Sequence, residues 1–202
     1  MSTTLAAATL AAIVALSPPS APVETFPGWA ETPQQRLARY HAIADDVAGA
    51  VDEMVAAPGA CGTLEQCRAR AVGLLLGIAW HESGFAPDVD AGQCYRGRDG
   101  RGPRCDSGRS HSMWQLRTGG EEAELFDHSR REAAKAALRK ARRSLGACHR
   151  LPEDERLVAY AGGRCEYPHP VALRRAHELH AAVSRAWALV VREMARPFEG
   201  EP

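Results

Sequence analysis

One carboxylate stands out in this chain for its surroundings. Glu82 lies near the end of the segment Leu74–Phe85, L-L-L-G-I-A-W-H-E-S-G-F. Leu75, Ile78 and Ala79 precede it by seven, four and three residues, so on a helix they share its stripe. An acid on an apolar stripe is costly to ionise unless it is paired. Such sites hold a carboxylic acid neutral near pH 6–7 for use as a proton donor. The competing reading turns Glu82 outward or pairs it with an arginine near the helix end. Asp88 and Asp90 follow on the next segment. Either is a candidate second carboxylate for acid–base work beside Glu82, against the alternative of ordinary turn residues.

The elements that must hold Glu82 read as helices. Thr32 and Pro33 suit the N-cap and first position of a helix over 33–57. Its apolar stripe is Leu37, Tyr40, Ala44, Val47, Val51 and Met54, and Pro58-Gly59 ends it. Thr63 with Gln66 makes a capping box for a helix over 64–83, with Gly84 as its stop. Residues 86–111 lack periodicity and predict a loop, and Ser112–Leu116 is short and mixed. Ser129 and Glu132 open a helix to about Leu145, with Ala134, Ala137, Leu138, Ala141 and Leu145 on one face. A short helix after Pro152 ends at Gly162-Gly163, and the last helix runs from about Pro170 to Met194. On that helix Leu173, Ala176, Leu179, Val183, Trp187 and Val190 are expected inward. The expected class is all-α: a signal-like apolar segment and linker over 1–31, one helical domain over 32–196, and a tail over 197–202.

Composition fits that class. The chain has 202 residues, with 25 Lys plus Arg against 25 Asp plus Glu. That balance argues against a nucleic-acid or membrane-surface role. Aromatics are few and alanine abundant, which suits packed helices. Leu5–Leu16 is an apolar run too short for a membrane span and of the right length for an export signal core, although no Lys or Arg precedes it. A helical arm or an uncleaved anchor is the alternative.

The six cysteines fall into local pairs, Cys61 with Cys67, Cys94 with Cys105 and Cys148 with Cys165. Six cysteines allow fifteen connectivities, and these three are the local ones. They predict an oxidising compartment, secreted, periplasmic or at the cell envelope. No metal is expected: the cysteines form no C-x-x-C knuckle, and the His81-Glu82 pair meets Phe85 where a metallopeptidase helix needs a second histidine. No cofactor is expected either.

Three segments resemble one family. Trp80–Asp88, W-H-E-S-G-F-A-P-D, is similar to the E-S-G-F-x-P motif of lytic transglycosylases with a soluble-transglycosylase domain, relatives of goose-type lysozymes. Ser112-Met113-Trp114-Gln115-Leu116 resembles that family's G-L-M-Q-L, and Ala159-Tyr160-Ala161-Gly162-Gly163 its A-Y-N-A-G. The order matches the family's, across residues 64–165. Ser112 stands where the family has glycine, Ala161 where it has asparagine, and the loop between the first two motifs is longer and bracketed by Cys94 and Cys105.

The resemblance implies a lysozyme-like helical fold that cleaves the β-1,4 bond between N-acetylmuramic acid and N-acetylglucosamine in peptidoglycan. Glu82 would protonate the glycosidic oxygen. It would then act as base on the sugar's own 6-hydroxyl in a transglycosylase, or on water in a lysozyme. Gln115 and the backbone around Met113 would bind the N-acetyl group or sugar, and Tyr160 would orient the Glu82 carboxylate. Ser83 would sit beside the acid. Trp114 reads equally as a sugar platform and as core. Two basic sets, Arg96, Arg98, Arg101, Arg104 and Arg109 in the loop and Arg131, Lys135, Arg139 and Arg142 on the helix after Ser129, would hold an anionic wall or form a solvated face. The alternative class is a non-catalytic wall-binding or structural part of a larger envelope or phage assembly.

Overall fold

A computed structural model describes residues 2–22, 28–58, 61–93, 105 and 109–196. Among these the elements are α1 (Ser2–Leu16), α2 (Pro33–Met54), α3 (Leu64–Ser83), α4 (Pro87–Asp90), β1 (Ser110–His111), β2 (Leu116–Arg117), α5 (Glu121–His128), α6 (Arg130–Ala147), a 3-10 turn (Glu153–Glu155) and α7 (Pro170–Met194). Among the described residues the structure is all-α apart from one antiparallel pair, with Ser110 opposite Arg117 and His111 opposite Leu116.

The helix starts follow from local chemistry. At Thr32 and at Thr63 the side chain accepts from the N3 amide while the N3 glutamine, Gln35 or Gln66, returns a bond to the cap backbone. Gly84 ends α3 in the left-handed region at φ 60°. Helix α3 covers the expected residues and so does α7. Helix α2 stops at Met54, short of the expected 57. Helix α4 and the β pair arise where a loop or a mixed segment was expected, and α5 lies in a stretch to which no element was assigned. The pattern of α5 is short, with only Ala123 and Phe126 buried, too little for periodicity to declare itself. Leu37 and Trp187, expected inward, are 38 % and 45 % exposed, because each lies at the edge of its helix's buried stripe.

The centre of the molecule is α3, which packs most extensively on α7. Two glycines set that approach. A Cβ at Gly73 would stand 2.6 Å from the Trp187 Cα, and one at Gly77 would stand 2.5 Å from the Val183 nitrogen. The two backbones touch where side chains would hold them apart, and this brings the end of α3 under the first turns of α7. Helix α1 joins the same core. Leu5, Ala12, Ile13 and Leu16 are buried with Tyr40, Val47, Leu75 and Val190. Past its end, the Ser17 hydroxyl bonds the Tyr40 hydroxyl at 2.8 Å, and Arg36 donates to the Ala21 carbonyl. No helix among the described residues is long and apolar enough to cross a membrane.

Helices α2 and α6 are joined by ion pairs. Arg130 and Arg131 reach Asp46 at 3.6 and 3.9 Å, Arg131 reaches Glu53 at 3.5 Å, and Lys135 pairs with Glu53. Arg142 points to the Met54 carbonyl at 3.5 Å. The basic stripe read as a wall-facing or solvated surface is therefore in good part a seam to α2. Of the loop arginines, Arg96, Arg98, Arg101 and Arg104 lie outside the described residues.

Two disulfides close short loops, Cys61–Cys67 with Cα atoms 5.2 Å apart and Cys148–Cys165 at 5.0 Å. The expected Cys94–Cys105 bridge involves Cys94, which lies outside the described residues. The two observed bonds fit an oxidising compartment.

Candidate active site

Glu82 sits on the last turn of α3 with its side chain 8 % exposed. Ser83 locks that helix end: its hydroxyl donates to the Ala79 carbonyl at 2.8 Å and accepts from the Phe85 amide at 3.3 Å. Gly84 and Phe85 both turn left-handed, at φ 60° and 55°. The turn drives Phe85 into the core, edge-on to Tyr40 at 6.0 Å between ring centroids. That fully buried ring anchors the chain just beyond the acid.

Two cavities meet at Glu82. One, of about 520 Å³, is walled by Leu16, Ser17, Pro18, Trp80, Ser83 and Val89, among others. The other, of about 470 Å³, is polar and takes in Ser110, Arg117, Lys140, Tyr160, Gly162 and Arg175. Glu82 and Gln115 line both. The result is a cleft with a carboxylate and a primary amide at its middle.

The three sequence segments converge there. The hairpin turn between β1 and β2 carries Ser112 and Gln115 in the left-handed region, at φ 60° and 50°. Ser112 thus occupies a conformation that glycine takes freely, the residue its resemblance motif has at that place. The same turn drives Met113 and Trp114 inward, to 1 % and 0 % exposure. The Trp114 indole N–H donates to the Leu75 carbonyl of α3 at 2.9 Å. Trp114 is therefore core, and its ring is closed to any sugar. Gln115 stays at the surface of the cleft. Its amide donates to the Ser112 carbonyl at 3.1 Å and to Cys105 Sγ at 3.0 Å.

Tyr160 differs from expectation. Its hydroxyl donates to the Trp114 carbonyl at 2.7 Å, so its one proton is committed to the hairpin and is not offered to Glu82. Burial first, and the negative charge of Glu82 second, push the phenol well above the ordinary tyrosine range, which keeps it a donor. Its amide in turn donates to the Ser144 hydroxyl of α6 at 3.0 Å. Tyr160 ties the third motif to the second and reaches the acid only through space. Tyr160→Phe is expected to cost about 1–3 kcal/mol, because it strands a buried carbonyl. Urea unfolding checks this, and an unchanged midpoint would refute the structural role.

Both second-carboxylate candidates lie off the cleft. Asp90 accepts from Arg130 at 2.6 and 3.0 Å and from Arg39 at 3.5 Å, an ion-paired bracket between α2, α4 and α6. Asp88 is fully buried in α4. Neither lines either cavity, and Glu82 is the one carboxylate among the described residues that does.

Residues that sequence reasoning missed complete the site. The Arg175 guanidinium from α7 stands 3.1 Å from Glu82 Oε2 and 3.5 Å from Oε1. Lys140 of α6 lies 4.4 Å over the Tyr160 ring. Arg117 joins them in the polar cavity. Arg175 precedes the buried Ala176 on α7, and no motif marks it. Only the G-x-x-x-G spacing of Gly73 and Gly77 hints that α7 comes so close. No protein family, curated protein or solved structure matches the chain.

Proposed function

We propose that this chain is a lysozyme-like enzyme that cuts peptidoglycan glycan strands at the bond between N-acetylmuramic acid and N-acetylglucosamine, with Glu82 as acid and then base. The observation that carries the reading is convergence. Segments around residues 82, 115 and 160 resemble one family's motifs, and their side chains or backbones meet at a cleft whose middle is a nearly buried carboxylate. A glycosidic oxygen leaves poorly until it receives a proton, and a carboxylic acid beside an apolar wall of Trp80 and Val89 is a suitable donor. Gln115, which lines both halves, would bind a sugar amide across the bond. The enzyme would act outside the cytoplasm, at the cell envelope or as a secreted protein.

Arg175 must leave the carboxylate before Glu82 can pass a proton. Its side chain is 46 % exposed, and among the described residues it has no second ion-pair partner, so a sugar entering the polar cavity can displace it. Water around the half-exposed arginine screens the pair, whose net worth is small, about 0–1 kcal/mol.

The lack of a second cleft carboxylate among the described residues favours transglycosylation. Inverting hydrolysis needs a base roughly 6.5–9.5 Å from the acid to hold a water. With one acid, the sugar's own 6-hydroxyl is the better nucleophile, since an intramolecular attack has a large effective-molarity advantage. Mass spectrometry of digested peptidoglycan is expected to show 1,6-anhydromuramoyl ends. Reducing muramic acid ends would replace this mechanism with hydrolysis.

The Glu82–Arg175 pair also favours a second reading, in which the pair stays closed and the cleft holds a glycan without cutting it. Such a protein would serve as a wall-binding part of a larger assembly. Purified protein that co-sediments with peptidoglycan but never clears it would select this reading.

A further inference from the structure

One wall of the apolar half of the cleft comes from a segment far from Glu82 in sequence. Leu16, Ser17, Pro18, Ala21 and Pro22 line the cavity that Glu82 also lines. The segment is stiff. The Ala21 amide donates to the Pro18 carbonyl at 2.9 Å, and Pro19 follows Pro18 in that turn, where its ring presets the backbone. Two contacts fix the segment to a single turn of α2. The Ser17 hydroxyl bonds the Tyr40 hydroxyl at 2.8 Å, and Arg36 donates to the Ala21 carbonyl. The same turn of α2 holds the other side of the site. The Tyr40 ring packs edge-on with Phe85, which lies in the left-handed turn three residues past Glu82. Tyr40 is fully buried, so its hydroxyl has no water to turn to once Ser17 is gone.

We propose that Tyr40 is a positioning residue that sets the gap between the Leu16–Pro22 wall and Glu82, its hydroxyl holding the wall and its ring holding the Phe85 turn. The inference rests on the glycan reading above for its ligand, and it adds a gauge for the apolar half of the cleft. Tyr40 lines neither cavity, so it acts through Ser17 and Phe85 and not on the sugar. Losing the hydroxyl pair lets the wall shift, while Glu82 keeps its place on the last turn of α3 and its partner Arg175. A shifted wall holds the sugar less well in the ground state and the transition state alike, so KM rises and kcat holds. Helix α1, whose last residue begins the wall, thereby belongs to the working site, and the cleft is complete only while α1 stays docked.

The test compares Tyr40→Phe, Ser17→Ala and the double variant in the full chain, with soluble peptidoglycan strands as substrate. Each single change removes one hydroxyl of the pair and keeps the apolar body of the side chain. Both are expected to raise KM about threefold or more while kcat stays within about twofold. The double variant should be no worse than the worse single, the mark of one shared contact. Ser17→Thr, which keeps the hydroxyl, should restore most of the loss. Should Tyr40→Phe not fold, Ser17→Ala and its threonine rescue decide by themselves. Hydrogen exchange supplies a readout that needs no substrate. The Gly84 and Ala86 amides, bonded to the Trp80 and Ser83 carbonyls, should exchange about threefold or more faster in Ser17→Ala, with α6 unchanged. Unchanged KM in the folded single variants, additive losses in the double, unchanged exchange at Gly84 and Ala86, or an equal rise in α6 would each overturn the positioning role. Digestion by the unaltered protein with any of those results leaves the proposed activity standing. Faster exchange confined to Gly84 and Ala86, in a protein whose unaltered form digests no peptidoglycan, supports the positioning role and overturns the activity.

Discussion

Glu82→Gln is expected to lower peptidoglycan cleavage by roughly 10²–10⁴-fold while the protein stays folded. Glutamine keeps the shape of the side chain and an oxygen for Arg175 to bond, but it has no proton to give and cannot serve as base. The loss should fall on kcat, because in the proposed mechanism the sugar is held by other residues such as Gln115. Stability should change little. The carboxylate is 8 % exposed but its arginine is 46 % exposed, and such a pair contributes at most about 1 kcal/mol. Circular dichroism and a urea midpoint within that margin establish that the variant is folded. A folded variant that clears peptidoglycan at a near-normal rate would remove Glu82 from the chemistry and with it the proposed mechanism.

The second large effect is on stability. Gly77→Val should destabilise the fold by at least about 3 kcal/mol, and Gly77→Ala by about 1–3 kcal/mol. In an exposed helix interior the alanine substitution would gain up to about 1 kcal/mol. Here the added Cβ would stand 2.5 Å from the Val183 nitrogen, and a backbone cannot step aside as a side chain can. Helix α7 must lift away from α3, which also withdraws Arg175 from Glu82. Gly49→Ala supplies the contrast. The atoms nearest its Cβ all belong to the guanidinium end of Arg131, which can rotate away, so α2 should keep its stability or gain a little. Chemical denaturation of the three variants tests the sign difference. Equal effects of alanine at positions 49 and 77 would show that the α3–α7 approach is not set by glycine.

Much of the scaffold was legible because it rests on short-range rules. Thr32 with Gln35 and Thr63 with Gln66 declare two helix starts through bonds that span three residues, and Gly84 declares an end through its backbone freedom. The Cys61–Cys67 and Cys148–Cys165 pairs close loops short enough to be read along the chain. The position of Glu82 on an apolar stripe follows from helical period alone, and so does the inward face of α6, where Ala134, Ala137, Leu138 and Ala141 are all fully buried.

What surrounds Glu82 could not be read that way. Arg175 is 93 residues from Glu82 in sequence, and it reaches the acid only because two glycines let α3 and α7 close on each other. Tyr160 spends its hydroxyl on the Trp114 carbonyl because the hairpin turns Trp114 inward, a choice made by left-handed backbone at Ser112 and Gln115. Asp90 leaves the cleft because Arg39 and Arg130 arrive from two other helices to claim it. Even α1, whose sequence reads as a detachable apolar run, places Ile13 and Leu16 in the shared core and Ser17 against Tyr40. Each of these is a partner choice between distant segments. The sequence by itself determined the long helices α2, α3, α6 and α7, the caps at Thr32 and Thr63, two local bridges and the stripe that carries the acid, because those depend on neighbours along the chain. The helix expected to Gly162-Gly163 is, by contrast, only a 3-10 turn over Glu153–Glu155. Only the tertiary structure decided which charges and hydroxyls face that acid, because packing sets those distances and no local pattern encodes them.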